Sequence, residues 1–108
     1  MKREQAIPGD VFQAIADPTR RSLLGMVAGG ERPVNALAES FQMSRPAISQ
    51  HLRVLREAGL VTERRVGRER RYRLRARPLQ EVRDWVRQYD EFWQERLTVL
   101  GEYLEDDA

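Results

Sequence analysis

The stretch Ser44-Arg-Pro-Ala-Ile-Ser-Gln-His-Leu-Arg-Val-Leu-Arg-Glu-Ala-Gly-Leu-Val61 contains a helix whose start, stop and two faces are all legible. Ser44 is an N-cap whose oxygen can accept from an orphan first-turn amide, and Pro46 suits that turn because its missing N–H has no partner there. Gly59 closes the helix. Ile48, Leu52 and Leu55 recur at helical spacing as one apolar stripe, while Pro46, Ser49, Gln50 and Arg53 fall on the opposite side. Arg can donate a bidentate pair to guanine, Gln can bridge adenine, and free amides at a helix start can hold a phosphate, so the outer face suits a DNA major groove. Structurally bland helices carry the same residue types, and only the context separates the two readings.

Part of that context is charge. The chain of 108 residues is long enough for one domain with one core, and 33% charged with 41% apolar residues is a globular balance. The net charge is only +2, but it is unevenly spread. Residues 1–43 balance five bases against five acids; residues 44–77 hold eleven Arg against Glu57, Glu63 and Glu69, a net of +8; residues 78–108 hold three Arg against nine acids, a net of −6. The basic middle third is a footprint for a polyanion. Cysteine is absent, which removes disulfides, thiolate metal sites and thiol catalysis together. Neither a signal peptide nor a long apolar run is visible, so the expected location is the cytoplasm, with no membrane partner.

Taken in order, residues 1–9 are expected to be a flexible tail. Asp10 caps a short helix to about Ala16, Asp17-Pro18 opens a second to Ala28 before Gly29-Gly30, and a third runs from about Pro33 to Phe41. The tight turn Gln42-Met43 leads to the Ser44 cap, which makes helices three and four a helix-turn-helix. The period then changes to two: Tyr72, Leu74 and Ala76 alternate with Arg71, Arg73 and Arg75, with Val61 to Val66 as the partner strand and Gly67-Arg68-Glu69 as the tip. A basic ribbon after a reading helix is a wing, able to follow the backbone or enter the minor groove. Pro78 opens a last helix to about Leu104, followed by a tail at 105–108 expected to be disordered. Its apolar stripe, including Val82, Trp85, Val86, Tyr89, Phe92, Trp93, Leu97 and Leu100, is wider than one small domain can cover, so part of it should face a second protein.

With these parts in place the chain resembles the ArsR/SmtB family of bacterial winged-helix repressors. The resemblance is carried by Ala16-Asp-Pro-Thr-Arg-Arg21, by Ser44 to Val61, and by Gly67-Arg with Tyr72-Arg-Leu74. It implies a mainly α fold with a small β-hairpin in the order ααααββα, dimerised through the first and last helices, so that Val11 and Phe12 join the interface. It also implies binding to imperfect palindromes in promoters and release by an inducer, whose identity or existence the residues do not reveal. One departure matters: Pro33 and Asn35 stand where metal-sensing relatives place thiolates, and the last helix has no His. Without thiolates those sites cannot bind arsenite or zinc, which suggests a metal-independent branch with no cofactor.

The expected function is a sequence-specific DNA-binding repressor acting as a homodimer. The expected DNA-binding residues are Ser44, Arg45, Pro46, Ala47, Ser49, Gln50 and Arg53 from the reading helix and Arg65, Arg68 and Arg70 from the wing. Two other classes remain compatible with the residues: a non-specific architectural DNA binder, and a protein-interaction module using the acidic aromatic last helix. An enzyme is not expected, because no nucleophile-base pair, phosphate loop or metal constellation is visible. His51 reads either as a half-buried structural histidine or as a DNA contact. Arg20 and Arg21 read as a phosphate pin or a surface ion pair. Trp85, Tyr89, Phe92 and Trp93 read as packing or as the lining of an apolar inducer pocket.

Overall fold

A computed structural model describes residues 10–106, in the order α1 (Val11–Ala14), α2 (Pro18–Ala28), β1 (Arg32–Pro33), α3 (Val34–Glu39), α4 (Arg45–Glu57), β2 (Val61–Val66), β3 (Glu69–Leu74), α5 (Leu79–Arg87) and α6 (Asp90–Asp106). The expected tail at 1–9 lies outside the described residues. Short helices depend heavily on their caps, because most of their amides are end amides. Asp10 accepts from the Phe12 amide at 3.1 Å, and Asp17 accepts from the Arg20 amide at 3.0 Å with Pro18 opening α2 behind it. At its far end α1 stops at Ala14, two residues before the expected Ala16, and its leftover carbonyls take arginines. Arg20 donates through Nε to the Ala14 carbonyl at 2.7 Å and through Nη2 to that of Gln13 at 3.1 Å, and Arg21 donates to that of Ile15 at 2.8 Å. Arg20 and Arg21 therefore act as caps, which neither sequence reading had weighed.

The end of α4 is a Schellman motif. The Leu60 amide reaches back to the Leu55 carbonyl and the Gly59 amide to that of Arg56, both at 2.9 Å, with Gly59 at φ +78. The reversal drops Leu60 and Val61 into the core beside Leu55. That core is one cluster: Val11 and Ala14 of α1, Leu23, Leu24 and Val27 of α2, Val34 and Leu37 of α3, Ile48, Leu52 and Leu55 of α4, then Ala58, Leu60, Val61 and Tyr72. The inward stripe of α4 is thus buried as its spacing predicts, which turns the polar stripe outward.

The strands form a three-stranded antiparallel sheet ordered β1-β3-β2. β1 was not foreseen, and Pro33, expected as the first residue of the third helix, belongs to it. Two residues carry no period, and an edge strand tolerates a proline because its outer side needs no amide. The β3 strand runs 69–74 instead of 71–76, since a two-residue hairpin loop suffices: Gly67 at φ +63 supplies the positive φ of its first central position, and Val66 pairs with Glu69. A shift of two leaves the faces unchanged, so Tyr72 is buried as the alternation requires, while Ala76 falls outside the strand and is exposed.

The last helix is broken where one uninterrupted helix from 78 to 104 was expected. After α5 the Tyr89 amide bonds the Val86 carbonyl at 3.0 Å in a tight turn, and α6 restarts with Asp90 and Glu91 in its first turn, where acids favour a helix N-terminus. α6 continues through Asp106, so the expected disordered tail at 105 begins inside a helix, and 107–108 lie outside the described residues. None of the described helices is long and apolar enough to cross a membrane.

Candidate nucleic-acid interface

At the start of α4 the Ser44 hydroxyl accepts from the Ala47 amide at 3.2 Å, the Ile48 amide bonds the Ser44 carbonyl at 3.1 Å, and Pro46 has no amide to offer. This leaves the Arg45 N–H as the one first-turn amide without an acceptor among the described residues. The helix start is therefore a weaker phosphate cradle than a run of free amides suggests, and an anion there has to be held mainly by side chains. Arg45, Pro46, Gln50 and Arg53 are exposed, and Ala47 and Ser49 are half-buried.

Two shallow grooves run between α4 and the ribbon. The first, of about 350 Å³, brings Arg45 together with Arg65, Arg68, Glu69 and Arg70 beside the start of α3 at Pro33, Val34 and Asn35; the second, of about 340 Å³, is lined by Pro46, Ser49, Gln50, Arg53, Arg56, Arg70 and Tyr72. Arg70 lines both, so the two grooves meet at this residue. Strand register explains which arginines reach it. Arg65 pairs with Arg70 and Glu63 with Tyr72, so these four share the face turned toward α4, and Arg64, Arg71 and Arg73 occupy the other.

The two faces differ in electrostatics. On the far side Arg64 makes a bidentate pair with Glu31, at 2.8 and 3.0 Å, and Arg71 pairs with Glu69 at 3.0 Å. The Arg64 hydrogen bonds outweigh partial desolvation and hold the Glu31 carboxyl below its ordinary range. On the near side Arg45, Arg65 and Arg68 have no ion-pair partner among the described residues and are exposed, whereas Arg53 pairs with Glu57 at 3.2 Å. Arg56 and Arg70 both bond Glu63. Arg45, Arg65 and Arg68 thus put unpaired positive charge beside the N-terminal half of the reading helix, while Arg73 on the far face is also exposed without an ion pair among the described residues. Arg56, Glu63 and Glu31 were overlooked from sequence, although Glu63 carried a signal: it is an acid at an inward position of a strand starting at buried Val61.

His51 is half-buried, and its Nδ1 lies 3.2 Å from Nη1 of Arg20 and 3.9 Å from the Asp17 carboxylate. A guanidinium only donates, so Nδ1 accepts and the ring proton sits on Nε2. The structure therefore favours the structural reading of this histidine: it ties α4 to the α1–α2 corner. Partial desolvation raises the Asp17 carboxyl, but the hydrogen bond from the Arg20 amide and the charge of the Arg20 guanidinium outweigh it, leaving this group below its usual pKa.

The expected dimer residues divide. Val11 is 3% exposed and packs in the protein's own core, from the inner side of a one-turn helix. Phe12 and Val82 are half-buried against that core, with Phe12 edge-on to Trp85 at 5.8 Å. Trp85, Val86, Tyr89, Phe92, Trp93, Leu97 and Leu100 are all exposed, Trp93 by 56% and Leu97 by 62%. Trp85, Val86, Tyr89, Phe92 and Trp93 surround an open apolar depression.

A helix-turn-helix whose second helix shares a basic surface with an adjoining two-stranded ribbon defines a winged-helix DNA-binding module. The profile described as "Bacterial regulatory protein, arsR family" matches residues 17–63. The HTH-type transcriptional regulator Rv2034 of Mycobacterium tuberculosis is 38% identical over 101 residues, covering 94% of this chain and 92% of its own length. The transcriptional repressor SdpR of Bacillus subtilis is 39% identical over 77 residues, 71% of this chain and 86% of its own. Among solved structures, a possible transcriptional regulator for arsenical resistance superposes with a TM-score of 0.68 at 45% identity, covering 87% of this chain and 96% of that one. An ArsR family transcriptional regulator superposes with a TM-score of 0.70 at 35% identity, covering 77% and 86%. The chain belongs to the ArsR family of bacterial transcriptional regulators, a DNA-binding class.

Proposed function

We propose that this protein is a homodimeric repressor that binds a two-fold symmetric operator. Arg45, Ser49, Gln50 and Arg53 read base edges, and Arg65, Arg68 and Arg70 hold the flanking backbone or minor groove. The observation that carries the reading is the meeting of the two grooves at Arg70, which puts base-reading and phosphate-binding groups on one face. The dimer reading is supported by the row of bare aromatic and aliphatic side chains along α5 and α6, too large an apolar surface for a monomer to leave wet. Its reading helices would lie about 34 Å apart, one DNA turn. Regulation does not use thiolate coordination of a soft metal, since the sequence has no cysteine, and the expected location is the cytoplasm.

The test is selection of bound duplexes from a random pool. The expected winner is an imperfect palindrome, and with about eight phosphates neutralised per dimer, log affinity falls with log salt at a slope of about −7. A protein that protects any duplex equally, with no symmetric winner, is an architectural binder and the proposal fails.

A further inference from the structure

We infer that Glu63 is the positioning residue of this interface, bracing Arg56 of the reading helix and Arg70 of the wing into a two-armed phosphate clamp. The inference rests on the DNA-binding reading and adds to it a contact residue, Arg56, and a device that sets the wing against α4. A carboxylate on a face that meets a polyanion repels it, so its place there needs a compensating role. Glu63 has one to offer. One carboxylate oxygen accepts from Arg56, and the other accepts from Arg70 at 3.3 Å and lies 3.4 Å from the Tyr72 hydroxyl. Tyr72 is 3% exposed and sits directly across the ladder from Glu63, so the carboxylate is tethered to the core.

Both arginines line the groove that also holds Ser49, Gln50 and Arg53. Left alone they would repel each other and sample many rotamers. Held by one shared carboxylate they stay together with a net charge of +1, and each guanidinium keeps donors free to face outward. An arginine already fixed loses less freedom on meeting a phosphate. The brace also joins the last turn of α4 to both wing strands, so the wing angle and the reading helix move as one unit.

Affinity is measured against salt for the wild-type chain, Glu63→Gln and Arg56→Gln, on the pool-selected duplex and on a scrambled duplex of equal composition. Glu63→Gln keeps the shape and removes the charge. The expected result is about a tenfold loss on the selected duplex, consistent with losing charged hydrogen bonds, and unchanged or slightly tighter binding to the scrambled one. Arg56→Gln, present in both protomers of the dimer, is expected to reduce the salt slope by about 2 on both duplexes. If Glu63 is only a repulsive charge, both duplexes tighten equally. If it serves stability alone, the melting temperature drops while discrimination is unaltered. Either result overturns the inference, as does an unchanged slope for Arg56→Gln, which decides the matter should Glu63→Gln not fold. A wild-type chain that binds neither duplex overturns the DNA-binding reading as well. One that discriminates, beside a Glu63→Gln chain that discriminates equally, overturns this inference alone.

Discussion

At residue scale, Gln50 tests base reading most directly. It is exposed on α4, and nothing in the core depends on it. Gln50→Ala is expected to cost about 1–3 kcal/mol on the selected duplex and to relax preference at one base position, with scrambled DNA bound as before. Competition assays with single-base variants of the selected duplex check this. Asp17 supplies a pH signature of stability. Its lowered pKa means that its charge stabilises the fold above the carboxylate's unfolded value, about 4, and that this contribution is lost as pH falls through the folded value. Asn is an equally good N-cap, so Asp17→Asn isolates the charge. The gap in melting temperature between wild type and Asp17→Asn should be steady near neutral pH and shrink below pH about 4. The roles of Asp10, Asp17 and Ser44 as caps were legible in the sequence because a cap bonds within three residues of itself. The roles of Arg20 and Glu63 were not, because their partners lie on other elements.

At the scale of elements, the join between α4 and β2 depends on one glycine. A Cβ at Gly59 would lie 3.3 Å from Nη1 of Arg75 and would sit at φ +78. Gly59→Ala is expected to cost about 1–2 kcal/mol, read as a lower denaturation midpoint with an unchanged slope. Helices and hairpin were readable where a period ran for a whole element, as along α4. Shorter features were missed: β1 has two residues and exists only because β3 offers it a ladder, and the stop after α5 has no proline or glycine to mark it. The two-residue slip of β3 was harmless because parity, not length, assigns faces, and parity placed Tyr72 inside.

At the scale of the whole molecule, the described residues of α5 and α6 leave a long row of apolar side chains exposed. Sedimentation at micromolar concentration is expected to give a dimer for the wild-type chain and a monomer for a Leu97→Glu and Leu100→Glu double variant, both side chains being more than half exposed. The double variant should keep its winged-helix fold by circular dichroism, because neither residue touches the core. Its salt slope should fall to about half, since half the phosphates are then neutralised per bound unit. A monomeric wild-type protein defeats the dimer proposal without touching the reading-helix assignment.

Local rules were enough to determine the helix-turn-helix, the ribbon and the basic middle third, because caps, periods and charge runs act over a few residues and leave their mark in order along the chain. Only tertiary structure decided which arginines meet: register put Arg65 and Arg70 beside α4 and turned Arg64 and Arg71 toward Glu31 and Glu69. The same packing drew Val11 inside and left Trp93 and Leu97 bare. Such choices depend on which groups far apart in the chain end up a few ångströms apart, and no local pattern carries that distance.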